Sequence, residues 1–275
     1  MNLYVSDLDG TLLNSDKVVS NYSKDILNNL IEKGVMFTVA TARTPGTIND
    51  LLDGLNISIP VVLMNGVIIY DMKNKNYLDF KTINKVAIEQ ILNVVEINNK
   101  NIFLYTIEEN KLNVYYKNLD LEFDNNYYKE RVVSKYKTFI ETDSYKAIGE
   151  EKDVVNIVIM DKLSAIKDIY NQIKDIEGIY VNYSQDIYDE KCYFLEIHSD
   201  LASKAKGIKE LSKYVQYDEL ICFGDNTNDI SMFKIAHRAY AMGNSVDELK
   251  KVATKVIGSN NEDAVAKFVN SENNF

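Results

Sequence analysis

Short runs of uncharged, mostly apolar residues set the architecture: Leu3-Tyr4-Val5, Val35 to Ala40, Val61 to Met64 and Leu220 to Phe223. Runs this short, apolar on both sides, read as strands buried on both faces. Helical patterns lie between them. Ser20 to Lys33 carries Tyr22, Ile26, Leu27, Leu30 and Ile31 at helical spacing, and Gly34 stands where a left-handed cap belongs. Lys204 to Val215 keeps Ile208, Leu211 and Val215 in phase. This alternation predicts an α/β, doubly wound (Rossmann-like) core with a parallel sheet covered on both faces. Pro60 precedes the third run, where its missing N–H does little harm.

The middle of the chain, from about Lys85 to Ile197, is richer in Tyr and Asn and alternates in places, as in Lys111 to Tyr116 and part of Val154 to Met160. Ile166, Ile169 and Ile173 share a helix face. A second α+β unit inserted into the first is the expectation, the strand–helix rhythm resuming after Ser203. Asn260 to Glu262 and the tail Ser271 to Phe275 read as polar and loose.

The balance of charge bears on partners. With 31 Lys and Arg against 41 Asp and Glu in 275 residues, the net charge is −10. An acidic surface repels a phosphate backbone, so broad nucleic-acid binding is not expected, although a local cation can still build a phosphate pocket. Cys192 and Cys222, 30 residues apart, read as reduced buried thiols, and His198 and His237 are too isolated for a zinc site. The N-terminal residues do not resemble a signal peptide and no window is long and apolar enough to span a bilayer, so a cytoplasmic location is expected, with no membrane partner.

Acidic residues cluster where two of the apolar runs end. The first run continues into Asp7-Leu8-Asp9-Gly10-Thr11, and the last into Gly224-Asp225-Asn226-Thr227-Asn228-Asp229. A solvated Asp-Gly turn accounts for Asp9-Gly10, but not for Asp7, which closes a buried strand. Helix capping needs one of the Asp and Asn residues in the second cluster, not four. Hard oxygen donors at two strand ends suit Mg²⁺. Thr41-Ala42-Arg43 follows the second run, where a hydroxyl and free N–H groups can hold a phosphate oxygen or simply cap a helix. Lys204 and Lys206 open a helix after Ser203, and spacing alone does not choose between them.

Taken together and in this order, these segments resemble the motifs of the haloacid dehalogenase superfamily, most closely its Cof-type sugar-phosphatase-like branch. Asn65-Gly66 before Ile68-Ile69-Tyr70-Asp71, the run Ala241-Met242-Gly243-Asn244 and the segment Asn260 to Val265 extend the likeness over nearly the whole core. The resemblance implies a catalytic core over 1–82 and 199–275 and an inserted α+β cap domain over 83–198. It implies that Asp7 is the nucleophile and a Mg²⁺ ligand. Asp9 is then the general acid/base and contacts the metal through its carbonyl, and Asp225 is a further metal ligand. Leu8, Thr41, Ala42, Lys204 and Asn228 bind the substrate phosphate, with Asp229 and Arg43 standing behind them. Two departures are visible: Thr-Ala-Arg replaces the branch's Thr-Gly-Arg, and Ala205 replaces the glycine of its Ser-Lys-Gly.

Such a chain is expected to be a Mg²⁺-dependent hydrolase of small phosphate monoesters, sugar phosphates or related metabolites, working through an aspartyl-phosphate on Asp7. Asp9 separates it from P-type ATPase domains, which carry a Thr there. The alternatives are a phosphomutase of the same superfamily and a non-catalytic phosphate sensor. The cap carries no readable code for the substrate, and Arg131 in it reads as a solvated charge or as a partner for a second anion.

Overall fold

The structure is a computed structural model and describes residues 1–186 and 189–273. From the N-terminus run β1 (Asn2–Ser6), α1 (Asn21–Glu32), β2 (Met36–Val39), α2 (Pro45–Leu51), β3 (Val61–Leu63), β4 (Ile68–Asp71) and β5 (Asn76–Phe80). Then come α3 (Lys85–Ile97), β6 (Phe103–Glu108), β7 (Lys111–Tyr116), α4 (Glu122–Arg131), β8 (Lys137–Glu141), α5 (Tyr145–Glu151), β9 (Val154–Asp161), α6 (Leu163–Ile173), β10 (Ile179–Gln185) and β11 (Tyr193–Ser199). The chain finishes with α7 (Lys204–Glu210), β12 (Glu219–Gly224), α8 (Ile230–Phe233), β13 (Arg238–Ala241), α9 (Asp247–Lys250), β14 (Lys255–Val256) and α10 (Ala264–Asn273). It divides into two compact units: Met1–Asp79 together with the chain from Ser203 onward, and Phe80–Ala202.

The first unit is built on a parallel sheet of order β14-β13-β12-β1-β2. From β1 the chain crosses to β2 on one side and later to β12 on the other. The junction of β1 and β12 is therefore the point at which strand order reverses, where α/β sheets place their ligand sites. Register aligns Ser6 with Phe223, so Asp7 emerges beside Gly224 and Asp225. Leu3, Val5, Val62, Ile208, Leu211, Cys222 and Met232 share the core, each burial contributing about 1.5–3 kcal/mol for a large aliphatic side chain. α1 starts where the Ser20 hydroxyl accepts the Ser23 N–H and stops at Gly34, φ 91°, whose N–H and that of Val35 return to the carbonyls of Ile31 and Leu30.

Three expectations for this unit are corrected. The run Val61 to Met64 does not continue the parallel sheet. β3 pairs antiparallel with β4 in a separate three-stranded sheet, and a single parallel bridge, Ala40 to Val62, joins it to the main one. Positive φ at Met64, Asn65 and Gly66 turns the chain straight back, which leaves no room for a crossover helix. The helix read over Lys204 to Val215 is α-helical only to Glu210 and tightens into a 3₁₀ turn at Leu211–Lys213. The tail is not loose as far as residue 273: α10 buries Ala264, Val265, Ala266 and Val269 and packs on α1. Residues 274 and 275 of that tail lie outside the described residues.

The second unit holds a six-stranded sheet of order β10-β11-β9-β6-β7-β8, antiparallel except for β7 with β8. Leu104, Ile157, Ile159, Leu195 and Ile197 pack on one face against Ile88 and Ile91 of α3 and Ile166, Ile169 and Ile173 of α6. The opposite face carries Phe103, Tyr105, Phe139 and Phe194, against which α4 lays Tyr127 and Tyr128. β9 is central and covered on both faces. Every residue from Val154 to Asp161 is buried, which corrects the half-exposed alternation expected there.

Candidate active site at the carboxyl ends of two parallel strands

Asp7 leaves β1 with its N–H bonded to the Phe223 carbonyl, 2.9 Å away. Gly10, φ 71°, then turns the chain back, and a Cβ there would collide with the Asp225 carboxylate. The turn thus brings two acids from opposite ends of the sequence into contact distance. Thr11 fixes the second of them: its hydroxyl donates to Asp225 Oδ1 at 3.0 Å. The Asn244 amide donates to the Gly10 carbonyl at 2.8 Å and pins the same turn from the loop after β13.

Lys204 is the buried centre of the site. α7 presents its ammonium to Asp7 Oδ1 at 2.7 Å and to Asp229 Oδ1 at 2.6 Å, and its side chain is 0% exposed. Ser203 caps that helix by accepting the Lys206 N–H, while Lys206 itself is exposed. The approach of α7 depends on Gly66, φ 94°, which sits so close to the Ser203 backbone that a Cβ would collide with it. Asp229 spends its other oxygen on the backbone N–H groups of Asp225 and Asn226, at 2.9 and 3.0 Å. Asn226 also caps the 3₁₀ turn Thr227–Asp229, so the capping expected in this cluster coexists with the acid cluster.

Burial, reinforced by the Asp229 charge, pushes the Asp7 carboxyl up to about 7 despite the opposing pull of Lys204. Asp225 is pushed up to about 6, again by burial first and then by Asp229. Burial works against the Lys204 ammonium, but the carboxylates of Asp7 and Asp229 outweigh it and its pKa is raised. One carboxylate oxygen from each of Asp7, Asp225 and Asp229 lies within 4.8 Å of the others. When all three are ionised they outnumber the one lysine, an imbalance that a divalent cation would redress.

Around this centre stand the other residues singled out in the sequence. Leu8 is buried under the turn, and Thr41 is buried at the end of β2 with its hydroxyl accepting the Arg43 N–H at 3.2 Å. Ala42 is exposed and has no left-handed backbone, so the alanine that replaces the branch's glycine is unstrained. Asn228 reaches Asn65, whose carboxamide oxygen accepts from it at 3.3 Å. Asp9 points to solvent, half exposed, and is held by Arg43. Sequence reasoning assigns no role to Thr11, Asn65 or Asn244. Asn65 and Asn244 lie within motif segments, but nothing in those segments names their partners.

The Rossmann-like sheet thus carries an acid–lysine–acid cluster at its strand-order reversal. The family profile of haloacid dehalogenase-like hydrolases matches residues 4–269, and the chain belongs to that family. It is an enzyme of a hydrolase family, and its relatives are named phosphatases. It is 24% identical to the 5-amino-6-(5-phospho-D-ribitylamino)uracil phosphatase YitU of Bacillus subtilis (strain 168), the alignment covering 97% of this chain and 96% of the relative. It is 26% identical to the pyridoxal phosphate phosphatase YbhA of Escherichia coli (strain K12), over 96% of each. Its fold superimposes on a haloacid dehalogenase-like hydrolase from Bacteroides thetaiotaomicron with a TM-score of 0.79 at 23% identity, covering 98% of this chain and 99% of the other. The superfamily and branch read from the motifs are thereby borne out, as is the α/β fold with a further sheet-bearing unit.

Proposed function

We propose that the protein is a Mg²⁺-dependent phosphatase of small phosphorylated metabolites that works through an aspartyl-phosphate on Asp7. The observation that carries this reading is Lys204, sealed between Asp7 and Asp229 at the end of β1. A buried lysine there neutralises a carboxylate that must approach an anionic phosphoryl group. The hard, clustered oxygens of the three acids fit Mg²⁺. Asp7, Asp225 and the Asp9 carbonyl would hold it, because both Asp229 oxygens are already engaged. When bound, the cation offsets the negative charge shared by nucleophile and phosphoryl group.

In the first half-reaction an Asp7 oxygen bonds to phosphorus as the ester P–O bond breaks, and Asp9 protonates the leaving alcohol. In the second, water attacks the same phosphorus, Asp9 takes its proton, and phosphate leaves with Asp7 restored. Lys204, Thr41, Asn228 and the N–H groups of Leu8 and Ala42 hold the non-bridging oxygens, and Arg43 aims Asp9. The inserted unit, 83–198, serves as the cap that selects the substrate. The net charge of −10 favours small metabolites in the cytoplasm over nucleic acids or membranes.

The test is Mg²⁺-dependent release of phosphate from p-nitrophenyl phosphate and from a panel of phosphorylated metabolites. That panel includes pyridoxal phosphate and the ribitylaminouracil phosphate that the relatives are named for. Phosphate release that Asp7→Asn abolishes supports the reading. Release unaffected by chelation or by Asp7→Asn contradicts it, and isomerised sugar phosphate without free phosphate would make it a mutase.

A further inference from the structure

The loop after β13 bonds to both acid-bearing turns, although none of its residues makes or breaks a bond to phosphorus. The Met242 N–H and the Ser245 hydroxyl both donate to the Gly224 carbonyl at 3.1 Å, and the Val246 N–H donates to the Asp225 carbonyl at 2.9 Å. The Asn244 amide donates to the Gly10 carbonyl at 2.8 Å. Residues 242–246 therefore tie the end of β12 to the turn that follows β1. Met242 and Ser245 are buried, which anchors the loop, while Asn244 is exposed.

Asn244 is itself aimed. Its carboxamide oxygen accepts the Asn260 N–H at 3.1 Å, which leaves the NH₂ group turned to Gly10. Asn260 in turn donates its own amide to the Leu13 carbonyl at 2.9 Å, at the far end of the same turn. The bond from Asn244 lands on the residue of the turn with the most backbone freedom. Gly10, at φ 71°, has no Cβ to restrict it, and rotation about it would re-aim the Asp9 carbonyl just before it. A tether on the Gly10 carbonyl opposes that rotation.

We propose that Asn244 is a positioning residue of the cation site. Through Gly10 it fixes the Asp9 carbonyl, and through its loop it fixes that carbonyl's relation to Asp225, before an ion binds. The proposal rests on the reading of Asp7, Asp225 and the Asp9 carbonyl as the Mg²⁺ ligands. Ligands held in place beforehand lose little freedom when the ion arrives, so the tether shows as affinity.

The experiment is calorimetric Mg²⁺ titration of the full chain as wild type, Asn244→Ala, Asn260→Ala and Asp225→Asn, with no substrate present. Asn244→Ala should weaken Mg²⁺ binding about tenfold or more. Asn260→Ala keeps its backbone N–H on Asn244 and loses only the bond to Leu13, so it should stay within about threefold of the wild type. Both alanine variants lose hydrogen bonds of neutral side chains outside the core and should unfold at similar urea concentrations without metal. A difference between them in Mg²⁺ affinity is then not a difference in stability.

In turnover of p-nitrophenyl phosphate, Asn244→Ala should need more Mg²⁺ for half its maximal rate, with KM for the ester unchanged. Mg²⁺ bound by Asn244→Ala as tightly as by the wild type, or weakened equally in Asn260→Ala, overturns the role of Asn244 while leaving the metal assignment standing. A raised KM for the ester that excess Mg²⁺ does not restore places Asn244 against the substrate and overturns the positioning role too. A wild type that binds no Mg²⁺, or an Asp225→Asn variant that binds it equally well, overturns the ligand assignment itself and the proposal with it.

Discussion

Arg43 holds Asp9 through two side-by-side hydrogen bonds, Nε to Oδ2 at 2.6 Å and Nη2 to Oδ1 at 2.5 Å. The fork fixes the plane of a carboxylate that is otherwise half in solvent. A lysine keeps the charge but loses the second bond. Arg43→Lys should therefore lower kcat/KM on alkyl phosphates by about tenfold, and by much less on p-nitrophenyl phosphate, whose leaving group hardly needs a proton. Rates over a series of leaving groups check this. An equal loss across the series would show that Arg43 does not act through Asp9.

Gly10 is irreplaceable on two counts, its φ of 71° and the Asp225 carboxylate lying where a Cβ would go. Gly10→Ala should cost about 1–3 kcal/mol of stability from backbone strain. It should also weaken Mg²⁺ binding by displacing Asp225. Urea unfolding and calorimetric Mg²⁺ titration measure the two effects separately.

The acids of the site make stability depend on pH in a specific direction. Burial raises Asp7 from 3.8 to about 7 and Asp225 from 3.8 to about 6. Groups raised on folding stabilise the protein fully below their unfolded pKa, and that contribution is lost as pH rises through the folded value. Metal-free protein should therefore lose part of its Tm between about pH 4 and 7. Added Mg²⁺, which needs the ionised carboxylates, should raise Tm more at pH 8 than at pH 5. In Asp7→Asn the metal-free decline should flatten. A Mg²⁺ effect independent of pH would contradict the assignment of these ligands.

Lys204 and Lys206 should behave oppositely. Lys204→Met leaves Asp7 and Asp229 buried without their cation and should cost about 3–5 kcal/mol, with activity lost. Lys206 is exposed, and Lys206→Met should change stability by less than about 0.5 kcal/mol. Denaturant midpoints of the two variants decide between the lysines that spacing left open.

Asp7, Asp225 and Asp229 could be read in the sequence because a carboxylate at the end of a buried strand is costly unless a ligand or a cation meets it. The parallel core was legible from its uncharged runs alternating with amphipathic helices. Partnerships were not. Arg43 lies 34 residues from Asp9 and Thr11 lies 214 from Asp225, and each pair exists only where the folded chain brings separate strand ends together. The reversal from β3 into antiparallel β4 depended on left-handed Met64 and Asn65, residues whose types do not announce that conformation.

Asp7, and no other group, should bond to phosphorus. Asp9→Asn, still able to attack a substrate with a good leaving group but slow to activate water, should accumulate the intermediate. The measurement is intact mass of this variant after acetyl phosphate or p-nitrophenyl phosphate with Mg²⁺, followed by peptide mapping. One added phosphoryl group, released by hydroxylamine, is expected on the peptide containing Asp7, and none in Asp7→Asn. A phosphoryl group on a serine or histidine, or one that forms equally well in Asp7→Asn, would contradict it.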